Sequence, residues 1–211
     1  MDIDRFVQRS KSLGNKSSWI NLKEGDNYLR FVQVVGDEDP WRETARHFLR
    51  DFTVPDDFNK APVCIGDGCP GCFLVEELRK RGDSAKADKV KAQPRFLMAT
   101  FYRDVPNDET GQLCIKIYEM PPTVFQKLGK LLEDWGQSFT DSVTGYDIKI
   151  TKIPGTGGGF MKYEVAPVTR KERGTMSLVV SPLTEDELLL IDDAFPDLDA
   201  EIVPPQIEMY E

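Results

Sequence analysis

His47, Cys64, Cys69 and Cys72 are residue types that bind soft metal ions, and they fall within a short stretch of a 211-residue chain. His47 is the only histidine, and these three are all but one of the four cysteines. Zinc takes four such ligands in a tetrahedron, and Cys69-Pro70-Gly71-Cys72 offers two of them from one tight turn. A site filled by one histidine and three cysteines keeps no open position for water, so a structural Zn²⁺ is expected there and not a catalytic one. A redox dithiol also places Cys-x-x-Cys before a helix, but Cys64 and the upstream histidine favour metal. A zinc deaminase requires H-x-E and a proline before its Cys-x-x-Cys. Here Phe48 and Leu49 follow the histidine, and Gly68 precedes Cys69. The fourth cysteine, Cys114 in Leu113-Cys114-Ile115, reads as a core residue.

The other chemistry-bearing pattern is an interleaving of bases and aromatics: Arg95-Phe96, Tyr102-Arg103, Lys116 with Tyr118, Lys149 with Lys152, and Phe160-Met161-Lys162-Tyr163. Arg46, beside the first metal ligand, joins this set. Proteins that bind single strands combine a positive channel with aromatic platforms, because every base has a face to stack on. Taken singly, each aromatic reads equally well as core. The glycine loop at 155–159 lacks the Lys-Ser or Lys-Thr of a phosphate-cradling loop and reads as a hairpin tip. With the one histidine committed to metal, no nucleophile or general base stands out, and no enzymatic activity is expected.

Patterning places these residues on elements. Tyr28 to Val35 alternates as a half-buried strand, and Glu43 to Leu49 forms another ending near His47. The Pro-, Asp- and Gly-rich stretch 50–71 is a long loop that a metal would order. Helical spacing follows from Cys72, with a second polar helix over about 83–91. Arg95–Arg103 and Leu113–Met120 form a hairpin, and Pro121-Pro122 opens a helix to about Asp134, where proline loses no donor. Tyr146–Ile153 and Phe160–Val165 make a second hairpin, and the run Ser181-Pro-Leu-Thr-Glu-Asp-Glu187 caps a short acidic helix to about Phe195. Several short strands in hairpins, one interposed helix and a metal loop fit a mainly β, α+β architecture. The expected form is a five-stranded oligonucleotide-binding (OB-fold) barrel with an inserted zinc-binding subdomain.

Composition sets the bounds. The chain is 40% hydrophobic and 30% charged with net charge −9, and no apolar run reaches the length of a membrane span. No secretory leader is evident, so an intracellular, cytoplasmic setting is expected. The charge is uneven: no Lys or Arg follows Arg173, while residues 175–211 hold ten acids. All 27 bases therefore face only the remaining 26 of the 36 acids in the first 174 residues. Such asymmetry marks nucleic-acid proteins with acidic tails. The expected organisation is an N-terminal arm at 1–17, a core at 18–183 with the zinc subdomain at about 47–92, and an acidic tail at 184–211.

In the order of these features over residues 19–168, the chain resembles bacteriophage single-stranded DNA-binding proteins of the T-even helix-destabilising type. The resemblance runs through Leu29-Arg30-Phe31, His47-Phe48, Cys64 with Cys69-Pro70-Gly71-Cys72, and the strand ending Arg103-Asp104. It continues through the helix Val124–Leu132 and the hairpin from Ile148-Lys149-Ile150 to Phe160 and Tyr163. It implies sequence-independent single-stranded DNA binding in phage replication, recombination and repair within an infected bacterial cell. It also implies zinc on the four residues named, base contacts at Phe96, Phe160 and Tyr163, self-association through the arm, and replication proteins as partners of the acidic tail. That tail would also compete with DNA for the basic groove. Two other readings stand beside it: a zinc-containing RNA-binding or regulatory module, and a protein-interaction adaptor whose aromatics are core.

Overall fold

A computed structural model describes residues 19–33, 39–49, 52, 61–156, 160–172 and 175–199. The expected arm at 1–17, the end of the expected tail at 200–211, most of the loop 50–60 and the glycines at 157–159 lie outside them.

The strands are β1 (Gly25–Phe31), β2 (Trp41–Arg46), β3 (Gln93–Tyr102), β4 (Lys116–Met120), β5 (Ile148–Ile153), β6 (Lys162–Pro167), β7 (Thr169–Glu172) and β8 (Thr175–Leu178). The helices are α1 (Pro70–Lys80), α2 (Ser84–Val90), α3 (Pro122–Trp135) and α4 (Glu185–Ala194). The protein is thus a mixed α+β chain. Six strands form one sheet in the order β2-β3-β1-β5-β6, with β4 also on β3, and β7 pairs β8 apart from it. The strand expected at Glu43–Leu49 lies at Trp41–Arg46 and makes the sheet six-stranded. The β7–β8 hairpin was not foreseen, because its sequence lacks the alternating apolar residues of a strand that covers a core.

Contacts divide the chain into two compact units, one of Met1–Trp41 with Leu97–Pro196 and one of Arg42–Phe96 with Asp197–Glu211. In the first, register fixes which side chains share a face. Leu29 pairs with Tyr102 and with Ile148, and Asn27 with Ile150. All of these are buried, because strand residues directly opposite project to the same side. On the other side Val32, Ala99, Phe101 and Ile115 pack with Leu183 and Ile191, so α4 closes this part of the core. The start of the segment expected to be an acidic tail is therefore packed structure.

Helix α4 is opened by a capping box, in which Thr184 Oγ1 accepts from the Glu187 N–H and the Glu187 carboxylate accepts from the Thr184 N–H. Glu187 is only 2% exposed and forms a close ion pair with Arg103, which also meets Asp147 at 3.4 Å. Helix α3 buries Val124, Leu128 and Leu131 at helical spacing and ends on Gly136 at φ 62°, a left-handed cap that suits glycine.

Arg30 is fully buried, and its guanidinium donates to four backbone carbonyls: Phe31 at 3.0 Å, Ser181 at 2.9 Å, and Phe139 and Asp141 at closer range. One planar fork thus satisfies carbonyls from three chain segments.

In the second unit, α1 and α2 pack Val75, Ala87 and Val90 with Leu49. Asp83 caps α2 by accepting from the Lys86 N–H.

Candidate metal centre and nucleic-acid interface

The metal centre is assembled by a short piece of antiparallel pairing. Arg46 bridges Val63, the His47 N–H donates to the Pro62 carbonyl at 3.0 Å, and the Cys64 N–H donates to the Ala45 carbonyl at 2.8 Å. These bonds set Cys64 beside His47 although the chain between them is long. Cys69 is the N-cap of α1 and Pro70 opens its first turn, so Cys72 follows one turn later on the same side.

The four donor atoms lie within 4.8 Å of one another. Cys64 Sγ and Cys72 Sγ are 3.7 Å apart, and His47 Nε2 stands 3.4 Å from Cys69 Sγ and 3.7 Å from Cys72 Sγ. Metal–ligand bonds of about 2.3 Å to sulfur and about 2.0 Å to nitrogen give a tetrahedron with edges of about 3.8 Å between sulfurs and about 3.5 Å from sulfur to nitrogen. The separations match, so these side chains can hold a metal ion. Sulfurs at 3.7 Å are not bonded to one another, and all three thiols are free.

Two features outside the ligand set orient it. His47 is buried, and its Nδ1 lies 2.8 Å from the Val90 carbonyl, which can only accept. The Nδ1 proton is thereby fixed and Nε2 is left with its lone pair toward the sulfurs. A Cβ on Gly71 would sit 2.4 Å from His47 Cδ2, so the imidazole lies directly against the Gly71 backbone. Glycine here makes room for the histidine ring. Burial, followed by the neighbouring Cys64 thiol, pushes the Cys72 thiol up to about 12. Three thiolates share so small a volume only when a cation offsets their charge.

Near this centre in the second unit, Arg46 donates to the Ala61 carbonyl at 2.9 Å, and the Arg95 guanidinium sits 4.7 Å from the centroid of the Phe48 ring. Arg95 also donates to the Pro94 carbonyl at 2.8 Å, and Phe96 is half-buried. Both arginines have their heads occupied by neighbours that the sequence pattern did not indicate.

The remaining basic and aromatic residues separate into two groups. Tyr102, Lys116 and Tyr118 are buried. The Tyr102 hydroxyl donates to Asn27 Oδ1 at 2.7 Å, and Lys116 Nζ to the Asn107 carbonyl at 3.0 Å. Their positions on β3 and β4 turn them inward, so they do not present a surface to a ligand. Arg103 is drawn into its pairing with Glu187 and Asp147.

The second group is brought together on the β5–β6 hairpin. Phe160 is 96% exposed at its tip, followed by exposed Met161 and Lys162 and half-buried Tyr163. Register sets Lys152 opposite Tyr163 and Lys149 opposite Tyr28 on the neighbouring strand. Lys152 donates to the Leu22 carbonyl at 2.9 Å, and Lys149 meets Asp26 at 3.6 Å.

The sequence reading missed two residues here. Lys127 of α3 donates to the Tyr163 carbonyl and lines a shallow depression with Lys130, Glu164 and Val165. Tyr28 lies half-buried beside Lys149. The signal for Lys127 was its position on the polar side of an amphipathic helix, which alone says nothing of what that side meets.

No protein-family model matches the chain, and no curated protein matches it. No helix among the described residues is long and apolar enough to cross a membrane.

Proposed function

We propose that this protein binds single-stranded DNA without sequence preference, as a non-enzymatic OB-fold protein with a structural Zn²⁺, serving phage replication, recombination and repair. The observation that carries the reading is the hairpin tip. Folding gives no return for leaving Phe160 almost wholly in water, whereas a base stacked on such a ring contributes about 1–3 kcal/mol. Lys162, Lys149 and Lys152 on the same hairpin supply charge for phosphates.

The topology supports the OB-fold. Strands β1, β3, β4, β5 and β6 follow one another with α3 between the third and the fourth, and they neighbour one another in the order β4-β3-β1-β5-β6. That arrangement suits a partly open five-stranded barrel, with β2 added on β3. The donor set and edge lengths support zinc, which favours tetrahedral sites of histidine and cysteine. The resemblance to phage helix-destabilising proteins supports the biological setting. Direct competition tests the reading: labelled single-stranded DNA bound to the full chain is challenged with unlabelled single-stranded DNA, duplex or RNA. Preferential displacement by single-stranded DNA supports it; equal displacement by RNA favours an RNA-binding module instead.

A second reading, a protein-interaction adaptor, draws on one observation. Leu188 and Leu189 are exposed on α4 among Glu185, Asp186, Asp192 and Asp193. An acidic helix with exposed leucines suits a basic, partly apolar partner surface, as an acidic C-terminal segment recruiting replication proteins would need. This role is compatible with strand binding by the hairpin.

A further inference from the structure

The β7–β8 ribbon leaves most of its described side chains exposed. A two-stranded hairpin is marginal by itself, and this one is tied to the first unit at its base. There the Val168 N–H donates to the Asp147 carbonyl at 2.9 Å, the Val179 N–H to the Val168 carbonyl at 2.9 Å, and Tyr146 bridges Val180. Away from that base, Arg170, Lys171, Thr175, Met176 and Ser177 are exposed, while Thr169 and Leu178 beside the base are half-buried. Register places Lys171 opposite Met176, itself 51% exposed, so a cation and an apolar side chain share one face. In sequence, Glu172 is the only acid between Val165 and Thr184.

We infer that β7–β8 is a second contact for the DNA strand, with Arg170 and Lys171 taking its phosphates. The inference rests on the single-strand reading proposed above. Two observations favour a phosphate backbone as the occupant. One is charge: two exposed cations project from a protein whose net charge is −9. The other is continuity: β6 passes into β7 through Val168 alone, so the strand that begins at Lys162, just after Phe160, runs on into the ribbon. A strand held at the hairpin tip thus meets Lys162 at the start of this continuous segment and Arg170 and Lys171 at its far end, with Glu164 the one acid between them.

The test is the salt dependence of binding. Each phosphate neutralised on a single strand contributes about −0.7 to the slope of log K against log salt. The full chain carrying both Arg170→Ser and Lys171→Ser is expected to bind with a slope shallower by about 1.4. Lys171→Glu alone tests the same track through one residue and is expected to lose about 0.7 or more. Because both side chains are exposed, the melting temperature should stay that of the parent. Parent and variants showing the same slope would overturn the ribbon contact while leaving the single-strand reading intact. A parent that binds no single strand at all would overturn both.

Discussion

The proton on His47 Nδ1 is held by the Val90 carbonyl at 2.8 Å, which is what leaves Nε2 facing Cys69 Sγ at 3.4 Å. The bond links a metal ligand at the end of β2 to the last residue of α2, so ligation and the packing of the α1–α2 pair depend on one another. A metal bound to this set contributes to folding directly, since the unfolded chain has no preformed site. Removing it with a chelator is expected to raise hydrogen exchange in α1 and α2 well above that in β1 and β5, as measured by mass spectrometry. Equal protection of both regions before and after chelation would refute a structural metal.

Gly71 supplies a point mutation on the same centre. In Gly71→Ala the new methyl meets the imidazole at 2.4 Å, and the ring has no room to retreat while Nδ1 holds the Val90 carbonyl. Overpacking of this kind costs about 1–3 kcal/mol. A competition titration with a chromophoric chelator should therefore show metal affinity weakened by about 5- to 150-fold.

The pH dependence of metal binding follows from the thiols. Without metal, Cys72 is held protonated by burial up to about 12, yet it must bind as thiolate. Protons compete with the metal, so affinity should rise with pH and binding at pH 7 should release protons. The sign reverses for the metal-free protein. A thiol whose folded value lies above its unfolded value contributes stability below the unfolded value, and loses it as pH rises toward 12. Calorimetric titration in buffers of different ionisation enthalpy counts the released protons, and a count of zero would contradict the assignment.

The C-terminal segment separates into parts that deletion can distinguish. A chain ending before Thr184 loses Glu187 and Ile191, leaving Arg103 without its buried partner and Val32, Ala99 and Phe101 uncovered. Breaking a buried ion pair by removing one partner costs about 3–5 kcal/mol, and the lost core contacts add to it. A chain ending after Asp199 keeps both, together with buried Leu198, and should melt close to the parent. In that second truncation, tighter single-strand binding at low salt is the result expected of an acidic tail that competes with DNA.

What the sequence made legible followed from how local each signal is. The ligand set was readable because four rare soft donors clustered, and the run from Ser181 to Glu187 marked the start of α4 locally, although the capping side chain, Thr184, is given by the structure. Side-chain destinations were less legible. Tyr102 and Tyr118 sit in runs with nearby bases, as Phe160 does, but strand register decides that they point inward. The role of Arg30 could not be read either, since its partners are carbonyls from positions 31, 139, 141 and 181, joined only by the fold. The ribbon β7–β8 escaped because hydrophobic periodicity reports burial, and this hairpin buries little.

Phe160 offers a clean separation of binding from folding. Phe160→Ala should leave the melting temperature unchanged, because the ring is 96% exposed. It should weaken single-strand affinity by about 5- to 150-fold if one base stacks there.

The most direct measurement is fluorescence anisotropy of labelled single-stranded and duplex DNA with the full chain across a salt series. Strong preference for the single strand is expected, with log K falling linearly in log salt at about −0.7 for every phosphate contacted. Equal binding to both forms, or none to either, would contradict it and leave the acidic α4 surface as the functional face.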